Sequence, residues 1–157
     1  MFNSPQTAHI GSSLGSFTAI LFPFLSLYLS PRDLYIYLME KLFLNNIEKN
    51  FPSLLNNKFI VAVSGGVDSI VLLHLCRNLK LNFVIAHCNF KLRGKESDDD
   101  ELFVKNLAAK YKISFYSNSF NTKELSNSSN KSVQMIARDL RYSWFNKLSE
   151  ELGIDYI

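Results

Sequence analysis

Short apolar runs alternate with longer segments of helical pattern from about residue 59 onward. Phe59–Val63 and Leu81–His87 are almost continuously apolar, which is typical of strands buried on both faces of a parallel sheet. Ile113–Tyr116 is a shorter third run, and Ile154–Ile157 has the character of the start of a fourth. The alternation predicts an α/β fold with a doubly wound parallel sheet and right-handed crossovers, incomplete at the C-terminus.

Helices are predicted between these runs. One extends from Ser69 to Leu79, and another begins at Ser97, with apolar positions at Leu102, Phe103, Leu107 and Tyr111. The acids that follow Ser97 complement the helix dipole, and consecutive acids point in different directions, so they are not predicted to bind a metal. A polar surface loop is predicted over Phe120–Lys131. A last helix, capped by Ser132 and ended at Gly153, would bury Val133, Ile136, Ala137, Leu140, Trp144 and Leu148.

The N-terminal segment has a different character, because residues 1–31 contain no Lys, Arg, Asp or Glu. Its apolar run Leu14–Leu29 is shorter than the roughly 20 residues of a membrane span and is broken by Pro23, so no membrane anchor is predicted. Our hypothesis is that residues 1–38 are an over-extended start and that the working domain is 39–157. Met39 would open an amphipathic helix with one apolar face, formed by Leu42, Phe43, Ile47 and Phe51.

Composition and charge narrow the class of protein only slightly. The chain is 47% hydrophobic and 20% charged, which is typical of a globular domain. Its net charge of +3 is too small to predict a polyanionic partner. Cys76 and Cys88 form no Cys-x-x-Cys motif, so reduced thiols in a cytoplasmic protein are expected.

The segment Ser64–Ser69, which we call the glycine turn, joins the first predicted strand to the first predicted helix. Gly65 and Gly66 allow unusual backbone angles and close approach of a ligand, and the helix N-terminus attracts anions. Ser64 and Ser69 add hydroxyl donors, whereas the lysine of a P-loop is missing. The pattern favours a phosphate site over an ordinary strand-to-helix turn.

Other polar residues are expected near the same rim, because ligands bind beyond the carboxyl ends of parallel strands. His87 could stack on or hydrogen-bond a nucleotide, and Arg93 could pair with phosphate. Each could equally be structural or merely exposed. Arg138 and Arg141, three residues apart on one helix, could form a basic surface with Lys131, or a solvated face beside Asp139.

Three motifs carry a resemblance to a known family. The glycine turn resembles the loop of enzymes that split ATP into AMP and pyrophosphate. Together with Ala86–Asp98, and with Gln134 followed by 137–142, it makes Lys58–Ile157 similar to the N-terminal PP-loop domain of bacterial tRNA(Ile)-lysidine synthases. The resemblance implies a Rossmann-like PP-loop ATPase fold. It also implies a ligase that activates C2 of the wobble cytidine of tRNA(Ile) with a CAU anticodon as an adenylate, releasing pyrophosphate, before free L-lysine displaces AMP to give lysidine.

The resemblance also implies residue roles and partners. Catalytic roles fall on Asp68, Arg93 and Arg138, and Asp68 would also orient Mg²⁺. The ATP-binding residues would be Ser64, Gly65, Gly66, Val67, Asp68, Ser69, His87, Asn89 and Arg141. The expected partners are ATP, Mg²⁺, the tRNA and lysine in the cytoplasm, with a homodimer left open and no membrane.

The chain also departs from that family. Phe90 stands where many members have a second His, and the family's later His-His-x-x-Asp-like segment and tRNA-binding domains are not present. We therefore expect this chain to be inactive alone. The alternatives are another PP-loop ATP pyrophosphatase, such as a tRNA thiolase or an amidotransferase synthetase, and a nucleotide-binding fragment without activity.

Overall fold

The computed structural model describes residues 30–122 and 131–157, and the chain divides into two compact units between Leu42 and Phe43. The apolar run Leu14–Leu29 lies outside the described residues, as does most of the predicted loop over Phe120–Lys131. In the part of the chain that is described, no helix is both long and apolar enough to cross a membrane.

Helices and strands alternate as the apolar pattern predicts, and the three described strands form one parallel sheet. Its strand order is β1–β2–β3, with Phe59 opposite Phe83 and Ile85 opposite Phe115. The elements, with a short 3₁₀ turn at Pro52–Leu55, are α1 (Pro31–Asn50), β1 (Phe59–Ala62), α2 (Val67–Asn78), β2 (Phe83–Asn89), α3 (Lys95–Tyr111), β3 (Phe115–Ser119) and α4 (Val133–Leu152).

Helices cover both faces of the sheet, which confirms the predicted doubly wound fold. On one face, Val61 and Ile85 pack in a core with Leu73 of α2 and Val104 of α3. On the other face, the alternate strand residues form a second core with α4, through Ile60, Val84, Ala86, Phe145 and Leu148. β1 and β2 are therefore buried on two sides, which explains their continuous apolar sequence, whereas β3 is more exposed and more polar.

The predicted fourth strand is not formed as a regular strand, but its residues lie where such a strand would begin. The Ile60 N–H donates to the Tyr156 carbonyl over 2.9 Å, while the flanking Phe59 and Val63 N–H groups donate to β2. Because successive N–H groups of a strand point to opposite edges, Tyr156 lies at the edge of β1 that faces away from β2. A single bond at this edge is too little to define a strand.

α1 begins earlier than predicted. It begins at Pro31 rather than at Met39, with the Ser30 hydroxyl accepting from the Asp33 N–H. The predicted apolar face was wrong for Leu42 and Phe51, which are 66% and 57% exposed. Phe51 follows the last helical residue, so helical spacing no longer applies to it. Whether the working domain begins at Met39 stays a prediction.

The apolar face predicted for α3 was also partly wrong. α3 begins at Lys95 rather than Ser97, and Leu102 and Phe103 are exposed. Val104 and Ala108 are the residues of α3 buried in the core, and the predicted Leu107 and Tyr111 are partly buried against it. The prediction for α4 was better, since the Ser132 hydroxyl accepts from the Met135 N–H and Gly153 ends the helix. Phe145 is an additional buried residue there.

Candidate functional site

The glycine turn is closed by hydrogen bonds among its own residues. The Ser69 hydroxyl donates to the Gly66 carbonyl over 2.8 Å and lies 3.1 Å from the Ser64 hydroxyl. The Ser64 N–H donates to the Ser69 hydroxyl, and the Gly66 N–H donates to the Ser64 hydroxyl. No side chain in the described chain caps α2, so the N–H groups of its first turn can meet an anion.

Gly65 is the residue of this turn that no other residue can easily replace. Its φ is +92°, and an added Cβ would lie 3.1 Å from Cβ of Asp100 on α3. A side chain at this position would be strained by the backbone angle and crowded by Asp100. The glycine is therefore required both by the turn and by the close approach of α3.

A cavity of about 470 Å³ lies at the carboxyl ends of β1 and β2, and we call it the rim cavity. It brings together predicted residues from three parts of the chain, and its polar lining includes Ser64, His87, Asn89, Arg93, Asp100 and Arg141. A volume of this size is typical of a small-molecule or cofactor site. The pattern of β2 was misjudged here, because the strand continues to Asn89 instead of giving way to a loop at Cys88.

The remaining predicted site residues do not line the rim cavity. Gly65 to Ser69 complete the glycine turn next to Ser64. Arg138 is exposed, with its guanidinium 5.0 Å from the Tyr142 ring. Lys131 pairs with Asp139 over 2.6 Å. The basic surface considered from the sequence is thus divided, with Arg141 at the cavity and Lys131 and Arg138 engaged elsewhere.

His87 ties the end of β2 to the residue before the glycine turn. It is buried, and its Nδ1 lies 2.7 Å from the Val63 carbonyl oxygen. Because a carbonyl can only accept, Nδ1 carries the proton and Nε2 is the nitrogen left for other partners. His87 therefore has both a structural bond and a place in the cavity wall.

Asn89 is a buried residue at the centre of a polar network whose other members are partly or largely exposed. Its amide nitrogen donates to Asp98 over 2.8 Å and to Glu101 over 2.9 Å, and its oxygen accepts from the Lys91 N–H. The Lys91 ammonium group also pairs with Asp98. Both amide hydrogens of Asn89 are thus used within the chain, and its contact with a nucleotide stays a prediction.

The network changes the acidity of its carboxyl groups. Hydrogen bonds from Lys91 and Asn89 hold the pKa of Asp98 below its usual range. Partial burial raises the pKa of Glu101. Hydrogen bonds from Asn89 and Ser117, together with the charges of His87 and Lys91, lower this pKa by more than burial raises it, so the net shift is downward. Both acids are therefore ionised at neutral pH and hold Asn89 as charged acceptors.

The two arginines of the cavity wall have different partners. The Arg93 guanidinium donates to Asp100 over 2.6 Å and lies 3.7 Å from Glu96. The Arg141 guanidinium lies 5.2 Å from the centre of the Phe90 ring. Glu96 and Asp100 follow Arg93 closely in the sequence, whereas Phe90 is far from Arg141 in the sequence and meets it only in the fold.

Cys88 also lines the rim cavity but is not suited to act as a nucleophile. Burial raises the pKa of its thiol to about 11, although the charge of Arg141 lowers it in part. The thiolate is the nucleophilic form, so this cysteine is largely unreactive at neutral pH. Burial likewise raises the pKa of Cys76 to about 12.

The residues near the glycine turn could hold Mg²⁺ only if a bound nucleotide supplied most of the metal ligands. Among the described residues, no group of three or more His, Cys, Asp or Glu side chains could hold a metal. Mg²⁺ in nucleotide sites is commonly held by one or two carboxylates and by phosphate oxygens. Asp68, exposed in the first turn of α2, could provide such a carboxylate.

Two functional features were missed from the sequence. Asp100 was interpreted only as one of the acids at a helix start, yet it contacts both Gly65 and Arg93. Asp98 and Glu101 were interpreted in the same way, although their spacing of three residues places them on one face of a helix. That spacing was the available signal for the network around Asn89.

Comparison with known proteins agrees with this architecture. Residues 39–157 match the family described as the PP-loop domain. The chain is similar to tRNA(Ile)-lysidine synthase of Bacteroides thetaiotaomicron, with 44% identity over 111 residues, covering 71% of this chain and 26% of that protein. The enzyme of the same name from Clostridium tetani is 41% identical over 123 residues, covering 76% of this chain and 26% of that protein. The resemblance noted from the sequence is thus confirmed.

A solved structure shares the fold. It is an NH3-dependent NAD synthetase from Campylobacter jejuni, with a TM-score of 0.53 and 17% identity, covering 78% of this chain and 53% of that one. At this identity the likeness concerns the fold alone. The chain spans about a quarter of the length of the curated relatives named above.

Proposed function

Because this chain belongs to the PP-loop domain family, we propose that it binds ATP at the glycine turn and rim cavity and forms part of a tRNA-modifying ligase. The observation that carries the proposal is the turn itself. Its glycines and its uncapped helix N-terminus leave backbone N–H groups accessible to a ligand, and its two serine hydroxyls lie beside them. Such a surface suits the pyrophosphate portion of ATP.

The proposed reaction is the formation of lysidine in tRNA(Ile) with a CAU anticodon. The C2 oxygen of the wobble cytidine attacks the α-phosphorus of ATP, the bond to the β-phosphate breaks, and pyrophosphate leaves. The amine of free L-lysine then attacks C2, loses a proton and displaces AMP. The relatives named tRNA(Ile)-lysidine synthase support this assignment.

The proposed residue roles follow the geometry of the site. Gly65 and Val67 supply backbone N–H groups to the pyrophosphate. On binding, the Ser69 hydroxyl exchanges its bond to the Gly66 carbonyl for one to phosphate, and the Ser64 hydroxyl and the Gly66 N–H likewise exchange their bonds within the turn for bonds to phosphate. Arg93, Arg141, His87 and Asn89 form the cavity wall around the nucleotide. Mg²⁺, when bound, would offset phosphate charge, with Asp68 as its protein ligand. The catalytic roles stay with Asp68, Arg93 and Arg138, of which only Arg93 lines the cavity among the described residues.

A nucleotide-binding unit without ligase activity is the second candidate. The residues that line the rim cavity all lie within 62–145, which supports ATP binding by this chain. The chain spans only about a quarter of the length of its relatives. We therefore expect the isolated chain to bind ATP but not to make lysidine, and we place the complete enzyme in the cytoplasm.

Calorimetric titration of ATP into this chain tests the first part of the proposal. Replacing Ser69 by Ala removes a hydroxyl that closes the turn and that is proposed to donate to phosphate once ATP is bound. The variant should bind ATP about tenfold more weakly, because hydrogen bonds to charged groups contribute roughly 1.5 to 3 kcal/mol. Ser143→Ala, at an exposed position of α4, is the control and should bind ATP normally. Equal affinities for wild type and Ser69→Ala would contradict the assigned role of the turn.

Mass spectrometry of the tRNA tests the second part. The protein expressed from the complete reading frame that encodes this chain is incubated with tRNA(Ile) of CAU anticodon, ATP, Mg²⁺ and lysine. The Bacteroides thetaiotaomicron enzyme is the positive control. Formation of lysidine supports the ligase assignment. If the control is active and the tested protein is folded and binds ATP, the absence of lysidine removes that assignment and leaves the nucleotide-binding unit.

A further inference from the structure

Phe90 is one of two phenylalanines in the described chain that line the rim cavity, the other being Phe145, and it contacts a cation. The Arg141 guanidinium lies over its ring at 5.2 Å, and both residues line the cavity. This distance is within the range in which a guanidinium is attracted to the face of an aromatic ring. The contact joins the segment after β2 to helix α4, which are far apart in sequence.

The Phe90 ring is itself held from behind. The Phe120 ring stacks on it with centroids 5.4 Å apart and planes 20° apart. The buried Thr122 hydroxyl donates to the Phe90 carbonyl over 2.8 Å, and the Phe120 N–H donates to the Asn89 carbonyl over 2.7 Å. The position of Phe90 is therefore fixed through both its ring and its backbone.

Among the described residues, Arg141 differs from Arg93 in having no acidic partner. Across residues 30–122 and 131–157, Arg93 forms ion pairs with Asp100 and Glu96, whereas Arg141 forms none. An aromatic ring attracts the flat face of a guanidinium and leaves the N–H groups at its edge free to donate. Arg141 thus presents an uncompensated positive charge to the cavity.

We propose that Phe90 is a positioning residue that holds the Arg141 guanidinium at the wall of the rim cavity to bind a phosphate group of the nucleotide. The inference rests on the proposed function, since it concerns the same cavity. Without the ring, the long Arg141 side chain would sample more rotamers, and ordering it on binding would cost entropy. Phe90 therefore acts through Arg141 and does not itself need to touch the phosphate.

Two non-aromatic variants, Phe90→Leu and Phe90→Met, test the role of the ring in the full chain. Each keeps an apolar side chain and should weaken ATP binding about two- to fivefold, the value of an exposed cation–π contact. Phe90→Tyr retains the ring and should bind ATP like the wild type. Thermal unfolding of each variant checks that the fold is kept.

A double-mutant cycle separates positioning from general packing. If Phe90 acts through Arg141, Phe90→Leu should have no further effect in an Arg141→Leu background. Equal losses in both backgrounds would overturn the inference. So would unchanged ATP affinity in Phe90→Leu and Phe90→Met. No ATP binding by the wild-type chain would instead overturn the proposed function.

A measurement without ligand tests the contact independently of ATP. The ring current of Phe90 should shift the NMR signal of the Arg141 Nε–H proton in the wild-type chain. The shift should disappear in Phe90→Leu and Phe90→Met and remain in Phe90→Tyr. An Arg141 signal that does not respond to any of these variants would overturn the inference even if ATP binds.

Discussion

The glycine turn and the segment that follows β2 meet at the same rim of the sheet but are stabilised by different kinds of interaction. The glycine turn is held by bonds between backbone groups and serine hydroxyls. The segment Phe90–Gly94, which we call the charged loop, is held at its ends by Lys91 pairing with Asp98 and Arg93 pairing with Asp100. One segment offers neutral donors and the other offers charged side chains.

The difference shows how a small cavity can combine rigidity with charge. A backbone turn cannot adopt other rotamers, so its donors keep their positions when a ligand arrives. Charged side chains bind anions more strongly but need partners to hold them in place. Asp100 joins the two segments, because it packs against Gly65 and pairs with Arg93.

Replacing Gly65 by Ala should have the largest effect of the three substitutions, on ATP affinity. The positive φ and the approach of Asp100 to 3.1 Å would force the turn to rearrange, and we expect ATP affinity to fall about a hundredfold. Gly153→Ala is the matched control, since it also has a positive φ but nothing within 4 Å of the added Cβ. Both variants should lose about 1 to 2 kcal/mol of stability. Equal ATP affinities of the two variants in calorimetry would show that the glycine turn does not hold the nucleotide.

Replacing Asn89 by Ala should have the next largest effect, on stability. It removes the amide that both Asp98 and Glu101 accept from, in a residue only 1% exposed. We expect a loss of about 2 kcal/mol in the free energy of unfolding by urea, because hydrogen bonds to charged groups are strong. Asn82→Ala, at an exposed position before β2, should change stability by less than about 0.5 kcal/mol. An unchanged free energy of unfolding in Asn89→Ala would mean that the charged loop does not depend on this network.

Replacing Asp100 by Asn should have the smallest effect, and in the opposite direction. Removing a negative charge beside the glycine turn lowers its repulsion of polyphosphate and frees Arg93, so ATP should bind about threefold more tightly without Mg²⁺. The gain should fall as salt is added. Glu96→Gln is the control, because Glu96 lies farther from Arg93, at 3.7 Å, and does not line the cavity. Weaker ATP binding by Asp100→Asn in calorimetry would mean that Asp100 supports the nucleotide rather than opposing it.

The glycine turn could be predicted from the sequence because its determinants are neighbours in the chain. Two glycines between an apolar strand and an apolar helix restrict the backbone locally, whatever the rest of the molecule does. His87 and Arg93 could be placed near this turn for a similar reason, since parallel strands end at one edge of the sheet. The cap at Ser132 and the end of α4 at Gly153 are equally local signals.

It was harder to predict which face of each helix is buried against the sheet. Leu102 and Phe103 fit a helical apolar stripe, yet Val104 and Ala108 are the residues that face the sheet. Helical spacing defines several overlapping stripes, and only the packing distance between helix and sheet selects one of them. The same reasoning explains why Leu42 is exposed next to the partly buried Phe43.

The sequence by itself determined the alternation of strands and helices, the glycine turn and the rim at which polar residues gather, because these depend on periodicity and on adjacent residues. The tertiary structure alone decided that Asn89 holds two acids, that Asp100 neutralises Arg93, and that Phe90 leaves Arg141 charged and accessible. Those pairings join residues from different elements of the fold, including the charged loop. Their strength depends on distances and burial that the order of residues does not specify.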